Sequence, residues 1–547
     1  MGTKKKNNYL VQGSILAAAS ILVRVIGLAY RIPMTNILGS EGNGIYSISF
    51  NIYNIVLILS SYSLPLAVSK MIAAKNVQKK YRESYRIFQH AFVFALLVGL
   101  AACLVLYFGA DALAKLYRTP GVEKPLRILA PTVFVVALLG VFRGLFQGKQ
   151  TMIPTALSQL IEQIVNAFVS VFAAYSFMKA HSASKDIAAY GAAGGTAGTL
   201  AGAVSALLFL VLIFAIYYPT LKRQLRRYKE SGYESSWTIY QMLIATIFPV
   251  ILSQTVYQLS GTLDDMMFKN VMAVKGMDDG LSADLIGVYG SQYRLLINVP
   301  VSISSAMASS LIPSIVSSVT ENNMNRAREK VTSSVKFNMV IAIPAAVGLA
   351  VLAKPIMMLL FPSISNYWGL AASMMIYGSL AVVFYALSTI TSAVLQGIDK
   401  MKLPVIHSLI SLVIHIIFVL ILLFFTNAGI YALIIGNVTF PLVVCILNAL
   451  SVKRYMDYRQ DVVKTFVVPA ICSGIMGVFA FGTYFLVHLL CHQYVIALFA
   501  AIIIAVAVYL LLVLASRCFT QQELKELPFG RKILMIGRKL HFYEVEE

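Results

Sequence analysis

The chain has 547 residues, of which 59% are hydrophobic and only 12% charged, about half the charge fraction of a soluble domain of that length. Its mean hydropathy of +0.79 excludes an ordinary soluble enzyme and fits a polytopic membrane protein. The net charge of +21 suggests nucleic acid at first sight, but its distribution between apolar runs gives it a different meaning.

The opening MGTKKKNNY leads into a full-length span with no small-residue cleavage site, so it reads as a tail and not a signal peptide. The first span, 10–33, is LVQGSILAAASILVRVIGLAYRIP. Arg24 and Arg31 are seven positions apart, which on a helix brings them within about 20° of each other. Gly13, Ala17, Ser20 and Gly27 share that side, while Leu, Ile and Val occupy the others. An arginine at membrane depth costs about 2.5–3.5 kcal/mol and normally faces a water-filled cavity or a partner. Fixed positive charge in such a cavity points to an anionic ligand.

Further apolar runs follow at 44–73, 86–108, 126–147, 153–177 and 190–218. After the basic connector LKRQLRRYKESGYESS (221–236) come 237–259, 285–319, 335–361, 367–396, 403–425, 429–450, 462–489 and 494–516. Each is long enough to cross ~30 Å of hydrocarbon, and together they make about fourteen transmembrane helices. DALAKLYRTPG, between the third and fourth, reads as a short interfacial helix. With the N-terminus inside, roughly three quarters of the 44 Lys and Arg residues fall on the cytoplasmic side, which sets an N-in, C-in topology. The basic character therefore reflects topology and contact with anionic lipid.

The halves resemble each other. LPLAVS at 64–69 is matched by IPSIVS at 312–317, and LFQG at 145–148 by VLQG at 394–397, at nearly the same offset. The expected fold is all-α: an N-lobe of six helices (1–220), the cytoplasmic connector (221–236), a C-lobe of six (237–452), helices thirteen and fourteen (453–516) and a cytoplasmic tail (517–547). Six helices per lobe give two pseudo-symmetric lobes of the same orientation, a parallel repeat of the kind some secondary transporters use.

Arg294 in the eighth span is the second-lobe counterpart of Arg24, with Gly287, Gly290, Asn298, Ser305 and Ala308 on its face. The second span places Ser47, Asn51, Asn54 and Ser61 at helical spacing. Arg24 and Arg294, with Arg31, form the expected cationic clamp, since a guanidinium fork pairs with phosphate and stays charged at any cellular pH. Glu162, flanked by Gln159, Gln163, Asn166 and Ser170 on one face, either counterbalances Arg24, serves a cation or proton, or fixes packing. Asp264 and Asp265 end the seventh span, and loop solvation is the simpler reading. His407 and His415, at i, i+8, read as packing histidines. Cys103, Cys445, Cys472, Cys491 and Cys518 lack ligand spacing and read as bundle thiols, so no metal site is expected. GAAGGTAGTLAG (191–202) follows no strand and lacks Gly-Lys-Ser/Thr, so its glycines serve close helix contact and not a nucleotide. No nucleophile elbow, zincin helix or catalytic carboxylate pair is present, so neither an enzyme nor a primary ATPase is expected, and no cofactor.

Several stretches, ILVRVIGLAYRIP, LGSEGNGIYSISFNIYNIVLILSSYSLPLAVSKMIA, FRGLFQGKQTMIPTALSQLIEQIV and YRLLINVPVSISSAMASSLIPSIV, carry a family resemblance. The sequence resembles the MurJ branch, with YtgP and SpoVB, of the multidrug/oligosaccharidyl-lipid/polysaccharide exporter superfamily. The resemblance implies a bacterial plasma-membrane flippase for lipid II, the undecaprenyl-diphosphate-linked peptidoglycan precursor. It implies headgroup binding by arginines of helices one and eight, here Arg24, Arg31 and Arg294, with Asn51 and Asn54 where the family's second helix has an arginine. Asn51, Asn54, Glu162, Gln163 and Asn298 are the cavity-lining or coupling candidates, and coupling to membrane potential or to Na+ or H+ is left open. The implied partners are lipid II, membrane lipids and the cell-wall synthesis machinery, with no nucleic acid. A flippase for another lipid-linked polysaccharide or teichoic-type precursor, a drug/cation antiporter of the same superfamily and a non-transporting scaffold remain alternatives.

Overall fold

The computed structural model describes the backbone of residues 2–61, 63–149, 151–227, 234–521, 523, 534, 535, 538, 542 and 543, with side chains from residue 19 apart from scattered helical positions. The middle of the connector, most of the tail beyond 521, and Gly13, Ala17 and Ser20 on the first stripe lie outside the described side chains. The described residues are almost wholly helical. Without water in hydrocarbon, a helix is the element that satisfies every backbone polar group within one segment.

Each expected span falls on helix. The chain runs α1 (Gly2–Ser60), α2 (Leu64–Val77), α3 (Tyr81–Leu116), α4 (Glu123–Gly148), α5 (Ile153–Ala180), α6 (Ile187–Arg227), α7 (Ser236–Val274) and α8 (Asp279–Val288). A π-helical turn, Tyr289–Tyr293, leads into α9 (Arg294–Thr320). Then come α10 (Met324–Val351), α11 (Ala353–Leu360), α12 (Trp368–Gly378), α13 (Leu380–Gly397), α14 (Lys402–Phe425), α15 (Tyr431–Met456), α16 (Val468–Cys491) and α17 (Tyr494–Ala515). Among the described residues, 11 helices are long and apolar enough to cross a membrane.

Two expected spans are joined in α1, which breaks at Gly39 (φ 67°, ψ −174°) into two arms. That backbone region is essentially reserved for glycine. The Asn43 amide staples the break by donating to Thr35 O (2.8 Å) and Gly39 O (2.5 Å). The second arm ends at Ser60, and α2 restarts the helix at Leu64 with a proline in its first turn. The interfacial helix expected at DALAKLYRTPG is absent: α3 continues unbroken to Leu116 and stops where Arg118 turns to φ 46°. A chain without a breaker before Thr119-Pro120-Gly121 has no reason to leave the helix earlier.

The contacts divide the chain into Met1–Ser291 and Gln292–Glu547. These units do not coincide with the sequence halves, because α7 and α8 pack with the first. Gly44 and Gly287 explain the attachment of α8: a Cβ at Gly44 would lie 2.2 Å from Ala283 O, and one at Gly287 only 2.1 Å from Ser40 O. In the first unit Phe88, Phe142 and Phe214 join α3, α4 and α6 with ring centroids 5.3–5.6 Å apart. Ile239, Leu243 and Ile247 of α7 pack into the same core. The glycine stripe of α6 lies against α5, where added Cβ atoms at Gly194, Gly198 and Gly202 would come 2.5, 2.1 and 2.5 Å from Ala173 O, Ser170 Oγ and Glu162 O. Small residues allow such close approach in a membrane bundle.

In the second unit, α10, α11, α16 and α17 share a core with Phe519, Leu534 and Tyr543 of the tail. Buried Lys336 fixes the tail by pairing with Glu523 at 2.8 Å. The LFQG and VLQG glycines both sit at close helix contacts. Gly148 of α4 abuts Ile72 of α2, and Gly397 of α13 abuts Ile315 of α9, both with under 3 Å left for a Cβ.

Candidate functional site

On the first arm of α1, Arg24 is exposed and Arg31 half-buried. The Arg31 guanidinium lies 5.9 Å from the Phe50 ring centroid on the second arm, with the Tyr30 and Tyr46 hydroxyls beside it. A cation over an aromatic face gains about 0.5–2 kcal/mol as water is removed. Tyr46 packs in turn against Phe50, 4.7 Å between centroids with the rings tilted by 35°. Arg31 is thus held by the aromatic side chains Tyr30, Tyr46 and Phe50.

The α5 face expected to be polar does meet α1. Asn166 Nδ2 donates to Tyr30 OH (3.3 Å), and the Ser170 hydroxyl bridges Asn166 Oδ1 (2.8 Å) and Gly195 O (2.7 Å). Gln163 sits over Gly27, the small residue between Arg24 and Arg31, where a Cβ would meet Gln163 Nε2 at 3.1 Å. Glu162 pairs with Arg143 of α4 at 2.7 Å, and Arg143 Nε also donates to Ser158 Oγ at 3.0 Å.

On the second arm, buried Asn51 donates to Asp265 Oδ2 at 2.6 Å, and Asn54 is half-buried one turn on. Asp264 and Asp265 are 2% and 1% exposed, so the expected loop solvation does not hold. The reason is length: α7 continues to Val274, well past the expected end at 259, and carries both acids inside the packed first unit.

In the second unit Arg294 opens α9 directly after the π-helical turn. Tyr293, fully buried, donates to Gly378 O (3.1 Å) and Asn437 Oδ1 (3.2 Å), which fixes the backbone from which half-buried Arg294 projects. Asn298, four residues later on the same face, is exposed. His407 bonds Asn448 Oδ1 at 2.7 Å and His415 lies 3.1 Å from Gly436 O, both buried, as packing histidines do.

A family model described as "Polysaccharide biosynthesis protein" matches residues 10–319, from the first arginine stripe through Arg294. The chain belongs to that family. A MatE model also matches, over 249–421. Among curated relatives, "Lipid II flippase MurJ" of Bacillus subtilis (strain 168) is 25% identical over 86% of this chain and 87% of its own length. "Stage V sporulation protein B" of the same organism is 23% identical over 97% and 99%. Among solved structures, "Lipid II flippase MurJ, inward closed conformation" superposes with a TM-score of 0.65 at 17% identity, covering 92% of this chain and 98% of that one. An inward-facing multidrug resistance MATE family transporter of the MOP superfamily gives a TM-score of 0.66 at 17% identity, covering 80% and 94%. This member of the polysaccharide biosynthesis family is therefore a multi-pass protein of the bacterial plasma membrane, and a transporter rather than an enzyme.

Sequence reasoning missed two partners of the candidate residues, Arg143 and Asp265. Arg143 lies near the end of its span and reads as a cytoplasmic cation, although its distance of 19 residues from Glu162 across one turn places the two on adjacent helices. Asp265 reads as a loop acid because the apolar run ends before it. The polar Asn51 opposite was the signal that the acid had a partner.

Proposed function

We propose that the protein is a flippase that moves undecaprenyl-diphosphate-linked peptidoglycan precursor, lipid II, from the inner to the outer leaflet. One observation carries the reading: intramembrane arginines stand on α1 and at the head of α9, in a chain similar along most of its length to a protein named for lipid II flipping. In this reading the diphosphate is the ligand of Arg24, Arg31 and Arg294. Their planar forks match phosphate oxygens, and Gln163, Asn54 and Asn298 offer hydrogen bonds to the sugar head. The cycle is alternating access, with the polyprenyl tail remaining in lipid. Membrane potential or a Na+ or H+ gradient resets it; one elementary charge moved through 100 mV supplies about 2.3 kcal/mol.

The test is lipid II exposure in cells where this protein is the sole flippase and can be depleted. A membrane-impermeant enzyme added outside cleaves headgroups that have reached the outer leaflet. Cleavage is expected to stop on depletion, to return with the wild-type chain, and to stay absent with Arg24→Ala or Arg294→Ala at normal expression. Unchanged cleavage on depletion refutes the cargo, and full restoration by both variants refutes the arginine site. A second reading, a flippase for another lipid-linked glycan, is favoured by the end-to-end similarity to Stage V sporulation protein B. Competition between lipid II and other undecaprenyl-linked glycans in vesicles separates the two.

A further inference from the structure

The first unit contains a second cationic feature, remote in sequence from the arginine stripe. The α4–α5 turn, the end of α2, the start of α3 and the last turns of α6 enclose a cavity of about 920 Å³. The charge bias of the sequence assigns this end of the helices to the cytoplasm. Lys149 and Lys79 supply its charge, and among the described residues no Asp or Glu lines it. Lys149 Nζ donates to Tyr217 OH at 2.7 Å and lies 4.7 Å from that ring's centroid. A phenol is a weak partner for an ammonium taken largely out of water, and a carboxylate is the usual one. Burial pushes the Lys149 ammonium down to about 8, so at neutral pH it is still mostly charged.

The cavity's other wall is hydrocarbon. Ile153, Ile213 and Ile216 line it, and Ile153 and Ile216 are 45% and 68% exposed on helices that cross the membrane. A cationic pocket with one lipid-facing apolar wall suits a phosphate ester that carries an acyl chain. Basic pockets between helices on the cytoplasmic side hold anionic head groups by this arrangement.

We infer that this cavity binds the phosphate of an anionic membrane phospholipid, with Lys149 and Lys79 as its cations and an acyl chain along Ile213 and Ile216. It shares no residue with the Arg24–Arg31 site, so it stands or falls independently of the transported cargo. The bound lipid ties the α4–α5 turn to α6 and makes the first unit sensitive to the charge of the cytoplasmic leaflet.

The test is native mass spectrometry of the purified full-length protein, offered phosphatidylglycerol or phosphatidylcholine. Wild type is expected to retain phosphatidylglycerol preferentially. Lys149→Gln and Lys79→Asn are each expected to lower that retention about fivefold, the value of roughly one near-surface cation, while leaving phosphatidylcholine unchanged. Asparagine suits position 79, whose φ is 59°, and the exposed site keeps the test alive should the buried variant fail to fold. Equal retention of the two lipids by wild type overturns the proposal, as does unchanged phosphatidylglycerol retention in the double variant. Displacement of the lipid by 10 mM inorganic phosphate would assign the cations to a soluble phosphate and overturn the lipid assignment.

Discussion

Replacing Glu162 by Gln removes the anion that Arg143 meets at 2.7 Å and leaves that guanidinium with the Ser158 hydroxyl. The two side chains are 14% and 28% exposed, between a surface pair worth about 0–1 kcal/mol and a buried pair whose disruption costs about 3–5 kcal/mol. A loss of roughly 2 kcal/mol is expected from Glu162→Gln, and a similar loss from Arg143→Met. The double replacement Arg143→Met/Glu162→Gln leaves no unpaired charge, so it should lose only about 1 kcal/mol and show a coupling energy of about 3 kcal/mol. Denaturation of the purified protein in detergent supplies the cycle, and flipping in vesicles supplies the functional arm. Additive losses, with no recovery in the double variant, would refute the pairing as the stabilising feature. Recovered stability together with recovered flipping is expected if Glu162 serves packing. Recovered stability without flipping would instead assign the acid to ion coupling.

Gly198→Ala would place a Cβ 2.1 Å from Ser170 Oγ and 2.4 Å from Ser170 N, so α5 and α6 must part by more than an ångström. The cost is about 1–3 kcal/mol, read as a lower thermal midpoint, whereas Gly482→Ala, with nothing within 4 Å, should not lower it. Gly39→Ala has open space for its Cβ, so its loss, about 1–3 kcal/mol, reports backbone strain alone; an unshifted midpoint would contradict the assigned φ. Lys149 offers a pH test. Its ammonium binds an anion while protonated, so phosphatidylglycerol preference should be full near pH 7 and decline as pH rises above about 8. The bound phosphate holds the proton and moves the midpoint upward. Lys79, Tyr81 and Tyr217 are the other ionisable groups among the described residues that line the cavity. Lys149→Arg, which stays charged, should give a flat profile, and parallel declines in both proteins would exclude Lys149 as the titrating group.

The helices were legible because a bilayer imposes a length and an apolar composition that few other structures share, and the runs at 86–108 and 403–425 lie inside α3 and α14. The arginine stripe and the glycine stripe were legible for the same reason, since helical period reveals which residues share a face. Period does not reveal which helix lies opposite. The pairing of Arg143 with Glu162 and of Asn51 with Asp265 therefore emerged only with packing. Asp265 shows the difficulty most clearly: Thr262, Asp264 and Asp265 interrupt the apolar run, yet Asn51 makes the interior polar enough to receive them. The π-helical turn before Arg294 has no hydrophobic signature, because it adds a residue to a turn without changing its composition.

The stapled break at Gly39 has a mechanical consequence. Arg31 and Phe50 lie on opposite arms of α1, yet the arms are joined through Gly39, whose own carbonyl and that of Thr35 are both tied to Asn43. Cation and ring therefore sit on a single bracket, so moving that bracket as one piece would carry the charge without unpacking its aromatic seat. The next break in the helix lies at the far end of the second arm, where α1 stops at Ser60 and α2 resumes at Leu64 ahead of Pro65. A stiff bracket pivoting at its distal end moves a fixed charge through the greatest distance for the smallest bend.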